Sequence, residues 1–110
     1  MIHVLAKVPV RAGCMEHALS CYRSLVPLVL AKEPGCLSYV PTSDCDLGLR
    51  NQVSSVGDIL VVELWRSIDD FLLHLKMEHC VAFREQIAPY LREGISVRVT
   101  QACMQEDISD

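Results

Sequence analysis

The chain alternates between two hydrophobic periods. In the segment 2–8, IHVLAKV, every second residue is apolar, which predicts a first strand with one face toward the core. From Met15 onward the apolar residues recur at helical spacing, which predicts a long amphipathic helix. Its stripe consists of Met15, Ala18, Leu19, Tyr22, Leu25, Val26, Val29 and Leu30. The EPG triplet at 33–35 is expected to end the helix, because the residue before proline avoids the α region and glycine permits the chain to reverse.

Three more strands and two short helices follow. The strands are predicted for CLSYV at 36–40, ILVVELW at 59–65 and GISVRVT at 94–100. Ser67 is a good N-cap for the first short helix, with Asp70 three residues later as an acidic variant of the capping box. This helix is expected to bury Ile68, Phe71, Leu72 and Leu75. The second short helix, from about His79 to Pro89, is expected to bury Cys80, Phe83 and Ile87.

The segment 42–58 contains turn-forming residues and shows no period. It is longer than the usual connection between two strands of a compact domain. We therefore expect a mobile loop and a candidate lid over a pocket.

The resulting order is strand, helix, strand, strand, helical pair, strand. This order predicts an α+β fold of the ferredoxin-like βαββαβ type, with an antiparallel sheet and helices on one face. The predicted domain spans residues 1–101, and residues 102–110 form a polar, acidic C-terminal tail.

Composition and charge exclude several classes of function. The 110 residues, 51% of them hydrophobic, suffice for one domain with one core. The net charge is −4 and the ten Lys and Arg residues are spread singly, so no basic stripe is available for nucleic acid or an anionic membrane. The apolar opening MIHVLAKVPV is short and lacks the features of an export signal, and no segment is long enough to span a bilayer. We expect a cytoplasmic protein.

The six cysteines are expected to be reduced thiols buried as small hydrophobic residues. No CxxC pair occurs, and the closest two, Cys14 and Cys21, lie seven residues apart on a predicted helix. Metal-ligand spacing is therefore absent from the sequence, and no metal site is predicted.

Both faces of the third strand are largely apolar. Alternation places Ile59, Val61, Glu63 and Trp65 on one face and Leu60, Val62, Leu64 and Arg66 on the other. The predicted helices can cover only one face. Leaving Leu60, Val62 and Leu64 in water would forgo roughly 5 to 9 kcal/mol, at about 1.5 to 3 kcal/mol for each side chain. We expect this open face to pack on a second copy of the chain.

Glu63 and Trp65 would then lie beneath the helices, where an ionised carboxylate requires a partner. The candidate partners are His74, His79 and Tyr39. Together with the indole of Trp65, these groups would form a cavity able to bind an aromatic molecule and move a proton. The structural alternatives are core packing for Trp65, His74 and Tyr39, a strand-edge or solvent position for Glu63, and an N-terminal helix cap for His79.

The residues 2–91 resemble the antibiotic biosynthesis monooxygenase-like domains, which are dimeric α+β barrels. The resemblance rests on four blocks in order, followed by Phe83: VPVRAG at 8–13, EPGCLSY at 33–39, ELW at 63–65 and HLKMEH at 74–79. Members of that family include oxygenases of quinols and polyketide phenols that use no metal or flavin, haem-degrading enzymes and a sugar-phosphate isomerase.

The resemblance implies a monooxygenase that needs no cofactor and uses dioxygen on a small aromatic, quinol or polyketide-like substrate. It implies His74 as base or proton shuttle, Trp65 as aromatic wall, Tyr39 as hydrogen-bond donor and Glu63 as the group that orients an imidazole or a bound hydroxyl. It also implies substrate contacts for His79, Phe71 and Phe83.

The alternatives are a small-molecule-binding dimer without catalysis, a haem binder with His74 or His79 as axial ligand, and an isomerase. The haem-degrading members carry an Asn on the first strand, and IHVLAKV has none.

Overall fold

The computed structural model describes residues 1–105, so residues 106–110 of the predicted acidic tail lie outside the described residues. Its elements are β1 (Ile2–Pro9), α1 (Met15–Lys32), β2 (Cys36–Thr42), β3 (Asp58–Trp65), α2 (Ile68–His74), α3 (Glu78–Ile87), a 3₁₀ turn (Ala88–Tyr90) and β4 (Ser96–Gln101). The four strands form one antiparallel sheet in the order β2-β3-β1-β4. The predicted α+β fold of the ferredoxin-like type is confirmed.

The helices cover one face of the sheet, and the core lies between them. β1 alternates as predicted: Ile2, Val4, Ala6 and Val8 are buried, and the residues between them are exposed. On β3 the buried set includes Ile59, Val61, Glu63 and Trp65. Glu63 is opposite Val4 on β1 and Tyr39 on β2, so it lies at the centre of the covered face.

The buried stripe of α1 is narrower than predicted. Ala18, Tyr22, Leu25 and Val29 are buried, whereas Leu30 is about half exposed. Because successive helical residues are separated by about 100°, a helix that packs through Val29 turns Leu30 away from the sheet. The prediction that Leu30 belongs to the core face is wrong.

The orientation of α2 also differs from the prediction. The buried residues of α2 are Phe71 and His74, while Ile68, Leu72 and Leu75 are 53%, 48% and 39% exposed. A two-turn helix contacts the sheet through only one edge, and Phe71 and His74 occupy that edge at i, i+3 spacing. The burial predicted for Ile68, Leu72 and Leu75 is therefore wrong. The Ser67 cap is confirmed, because its hydroxyl oxygen accepts the Asp70 N–H.

Gly35 has a different role from the one expected. The glycines with positive φ in residues 1–105 are Gly13, Gly48 and Gly57, so Gly35 does not use a left-handed conformation to reverse the chain. Instead, a Cβ placed on Gly35 would lie 2.3 Å from Cγ and 2.5 Å from Cβ of Asp70. Glycine is required because the start of α2 packs directly against the turn after α1.

Replacing Gly35 with Ala should lower the free energy of unfolding by about 1 to 3 kcal/mol, the usual cost of overpacking. Asp70 has little freedom to move aside, since its carboxylate accepts the Ser67 hydroxyl. Urea unfolding followed by circular dichroism measures the change. Gly94→Ala is the matched control, because a Cβ there meets nothing within 4 Å. Equal stability of the two variants would contradict the close approach.

None of the helices in residues 1–105 combines the length and apolar character needed to cross a lipid bilayer.

Candidate active site

A cavity of about 180 Å³ lies between the covered face of the sheet and the helices. All four strands and all three helices contribute to its wall. Aliphatic residues from β1, α1 and the start of β4 form much of the surface. The aromatic and polar residues are Tyr22, Tyr39, Glu63, Phe71, His74, Cys80, Phe83 and Arg84.

Glu63 is the acidic group of this cavity. The alternation of β3 turns its side chain inward, and only 4% of the residue is exposed. The Trp65 indole Nε1–H donates a hydrogen bond to Glu63 Oε1 at 2.9 Å. Burial raises the pKa of Glu63 to about 7; the Trp65 hydrogen bond opposes this rise and the charge of Glu33 adds to it. Glu63 therefore changes protonation state near neutral pH, next to a space that a ligand can occupy.

The two candidate imidazoles pair with Glu33 and not with Glu63. His74 Nδ1 lies 2.9 Å from Glu33 Oε1, and His79 Nε2 lies 2.6 Å from Glu33 Oε2. Both Glu33 and His74 are buried. The prediction that Glu63 orients an imidazole is wrong, because the C-terminal end of α1 supplies another carboxylate, Glu33, which pairs with both histidines.

Sequence reasoning missed Glu33, although a signal was present. Glu33 follows Val29 by four residues and so continues the buried stripe of α1. The EPG triplet ends the helix as predicted, since α1 ends at Lys32.

His74 borders the cavity within an aromatic cluster. Its ring centroid lies 4.5 Å from that of Trp65 and 5.6 Å from that of Tyr39. Burial lowers the pKa of His74, and the contact with Glu33 opposes this effect. An ionised Glu33 only accepts hydrogen bonds, so Nδ1 carries the proton and donates it, and Nε2 of the neutral ring is left as an acceptor.

Comparison with known proteins shows which family the chain belongs to. The family model of the antibiotic biosynthesis monooxygenases matches residues 1–86. The chain belongs to this family. Among curated proteins, no sequence matches the chain.

Solved structures resemble this monooxygenase family member over almost the whole chain. One of them is a Caulobacter crescentus protein assigned by name to the same monooxygenase family. Its TM-score is 0.80 at 22% identity, and the match covers 94% of this chain and 90% of the Caulobacter protein. Rv0793 from Mycobacterium tuberculosis has a TM-score of 0.79 at 19% identity, and the match covers 96% of this chain and 98% of Rv0793. A third structure, of an antibiotic biosynthesis monooxygenase, has a TM-score of 0.76 at 23% identity, and the match covers 94% of this chain and 100% of that protein. These likenesses establish the fold, and the family match supports a monooxygenase-like function.

In this family member, Tyr39, Phe71, His74, Phe83 and Glu63 line one cavity. Tyr22 joins them from α1, where the sequence identified it only as part of the helical stripe. Burial, and secondarily the charge of Glu63, raises the pKa values of Tyr22 and Tyr39 well above the ordinary range. Both phenols therefore stay protonated and can donate hydrogen bonds to a bound oxygen atom.

Trp65 and His79 lie behind the cavity wall. Trp65 is fully buried, packs against Phe71 and His74, and acts on the cavity through its hydrogen bond to Glu63. His79 is directed at Glu33, and α3 is capped by Met77, so the capping role considered for His79 is wrong.

The loop 43–57 does not reach this cavity in the monooxygenase family member. The residues that line the cavity come from outside the range 42–58, with Glu63 the nearest in sequence. The loop joins β3 at Asp58, five residues before Glu63, at the far end of the strand. Within one chain, the prediction that this loop acts as a lid is wrong.

Proposed function

We propose that this protein is a monooxygenase that oxidises a small electron-rich phenol or quinol with dioxygen and without an organic cofactor. The observation that carries the proposal is Glu63, a buried carboxyl group at the wall of an aromatic cavity with a pKa raised to about 7. A general base is most effective when its pKa lies near the working pH. The surrounding rings provide a dry, apolar site for an aromatic substrate.

The proposed reaction begins when Glu63 removes a proton from the substrate. The resulting anion transfers one electron to dioxygen, and the substrate radical and superoxide combine to form a peroxide at carbon. The proton held by Glu63 returns to the departing oxygen, the O–O bond breaks, and a second hydrogen leaves the carbon as a proton. One oxygen atom remains as a carbonyl and the other leaves as water, so the substrate supplies all four electrons.

Other cavity residues support the anionic intermediates in this proposal. Tyr22 and Tyr39 donate hydrogen bonds to the substrate oxygen as negative charge develops on it. His74, which the sequence suggested as the base, offers Nε2 as a second proton acceptor. Phe71 and Phe83 provide the apolar walls that hold the ring.

The size of the cavity favours a small substrate. About 180 Å³ is less than the roughly 300 to 1,000 Å³ of sites for drug-sized ligands. A one-ring phenol or quinol fits this space better than a haem or a multi-ring polyketide. Both histidines considered as haem ligands are also held by Glu33.

Oxygen consumption by the purified protein tests the proposal directly. A panel of phenols, quinols and enediols is supplied without added flavin, haem or metal, and oxygen uptake is followed with an electrode. We expect uptake with at least one quinol or phenol, and one labelled oxygen atom in the product when ¹⁸O₂ is used. No uptake with any compound, together with tight retention of an unreacted ligand, would favour the small-molecule-binding alternative.

We propose likewise that the open face of the sheet binds a second copy and completes a dimeric barrel. Leu5, Val62 and Val40 are paired across β1, β3 and β2, and they are 41%, 49% and 48% exposed. Leu60 and Leu64 flank this row and are only half-buried. Burying these three exposed side chains in the interface would stabilise the dimer by a few kcal/mol.

Replacing Val62 with Lys should convert the dimer to a monomer, because it places a charge at the centre of the proposed interface. Sedimentation equilibrium measures the change in mass. Leu30→Lys is the matched control, since Leu30 is equally exposed on the helical side. A wild-type protein that is monomeric at all concentrations, or a Val62→Lys dimer of unchanged affinity, would refute the interface.

A further inference from the structure

The cluster around Glu33 contains three different metal-ligating groups. Glu33 Oε2, His79 Nε2 and Cys80 Sγ all lie within 4.8 Å of one another. The nitrogen is 2.6 Å from the oxygen, and the sulfur is 3.9 Å from it. The side chains of Glu33 and His79 are 6% and 8% exposed, and Cys80 is buried. The geometry points to a Zn²⁺ site formed by Glu33, His79 and Cys80.

The donor set and spacing suit this ion. Zn²⁺ binds carboxylate oxygen and imidazole nitrogen at about 2.0 to 2.2 Å and thiolate sulfur at about 2.3 Å, in a tetrahedron. Two donors of such a tetrahedron lie roughly 3.3 to 3.7 Å apart. The oxygen–nitrogen separation must widen by about 0.7 Å and the oxygen–sulfur separation must shorten by about 0.2 Å to reach these values, on the order of a side-chain adjustment. The fourth position is left to water.

Charge balance also favours a dication. One carboxylate and one thiolate cancel the two positive charges, so the loaded site is neutral and its burial is not opposed by a net charge. On binding, the thiol proton of Cys80 is released to solvent. The ring proton that His79 Nε2 donates to Glu33 leaves that nitrogen, and the neutral ring carries its proton on Nδ1 instead. No oxidant or reductant is required.

His74 supports the site from outside it. Its Nδ1 lies 2.9 Å from Glu33 Oε1, the oxygen that the metal would not use, and also 3.1 Å from Glu33 Oε2 and 3.3 Å from Cys80 Sγ. Such a hydrogen bond fixes the direction of a ligating carboxylate. His79 also borders a surface depression with Lys32, Met77, Glu78 and Ala82, which provides a route for the ion. This inference does not rest on the proposed oxygenase activity.

Titration of the metal-stripped full chain with Co²⁺ tests the site, because thiolate ligation produces a near-ultraviolet charge-transfer band. We expect saturable binding of one ion per chain, displaced by Zn²⁺. Cys80→Ser should abolish the band and weaken Zn²⁺ affinity at least about 10-fold, the lower range for loss of even an outer-shell partner. Cys45→Ser and Cys103→Ser, which change exposed thiols, should leave both unchanged.

X-ray absorption on the Zn²⁺-loaded wild-type protein keeps the test independent of how the variants fold. We expect one sulfur at about 2.3 Å and the remaining ligands at about 2.0 to 2.2 Å. Absence of saturable binding, or a coordination shell without sulfur, would overturn the inference. So would a charge-transfer band that survives in Cys80→Ser and disappears in Cys45→Ser or Cys103→Ser.

Discussion

Replacing Glu63 with Gln is expected to lower turnover by about 10² to 10⁴-fold, the usual contribution of a positioned general base. The amide keeps the size of the side chain, and its oxygen can still accept the Trp65 indole N–H. It cannot accept the substrate proton. Initial rates of oxygen uptake at saturating substrate measure the loss.

The pH profile distinguishes Glu63 from other candidate bases. Glu63 acts only when ionised, so kcat/KM of the wild-type protein should rise as pH increases through about 7. The titratable groups around it are Glu33, Tyr22, Tyr39, Cys36, Cys80 and His74. Burial raises the pKa values of both tyrosines well above this range, and it lowers the pKa of His74. The residual activity of Glu63→Gln should lack the rise near 7.

His74→Ala provides the comparison that decides the assignment. If His74 is the base, this variant loses about 10²-fold or more and Glu63→Gln retains turnover. Full turnover of Glu63→Gln with an unchanged profile would therefore exclude Glu63 and return the role to His74.

Glu63→Gln, which should lower turnover, is expected to raise stability at pH 8. The pKa of Glu63 is about 7 in the folded protein and 4.5 in its unperturbed state, so between these values the folded state binds more protons. The contribution of Glu63 to the wild-type stability consequently falls as pH rises from about 4.5 to about 7 and is then constant. The fall is roughly 3 kcal/mol at 1.36 kcal/mol per pKa unit. Glu63→Gln should lack it and exceed the wild type in stability at pH 8, as measured by urea unfolding.

Replacing Trp65 with Ala is expected to lower the free energy of unfolding by about 3 to 5 kcal/mol. Trp65 is fully buried, and its ring contacts His74 and Phe71 with centroids 4.5 and 5.9 Å away. Removing it leaves a cavity beneath α2 that the sheet cannot close. Because Trp65 is the only tryptophan, unfolding in urea is followed by circular dichroism and not by fluorescence.

Trp65→Phe keeps part of the packing and removes the hydrogen bond. It retains an aromatic ring, deletes the indole donor and leaves a smaller void than Ala, so the loss should be smaller than for Trp65→Ala, at about 1.5 to 3 kcal/mol. The Trp65 bond lowers the pKa of Glu63, so its removal should move the rise of kcat/KM to higher pH. An unchanged pH profile in Trp65→Phe would show that this hydrogen bond does not control Glu63.

The elements of the fold were largely predictable from periodicity. The alternation in β1 and β3 depends only on the two-residue repeat of a strand, so it identified which side chains share a face. The helical spacing of α1 and α3 likewise identified Tyr22, Cys80 and Phe83 as inward-facing. Predictions for α2 failed at Ile68, Leu72 and Leu75, because a helix of two turns carries too few apolar residues to fix its rotation against the sheet.

The sequence by itself determined that Glu63 shares one face of β3 with Ile59, Val61 and Trp65 and that the chain has the pattern of its family, since both follow from local repeats and ordered motifs. Only the tertiary structure decided which groups meet. Glu33 and His79 are 46 residues apart, and their contact depends on where the end of α1 lies against α2 and α3. Hydrogen bonds between distant side chains follow from the packing of whole elements, which no local pattern encodes.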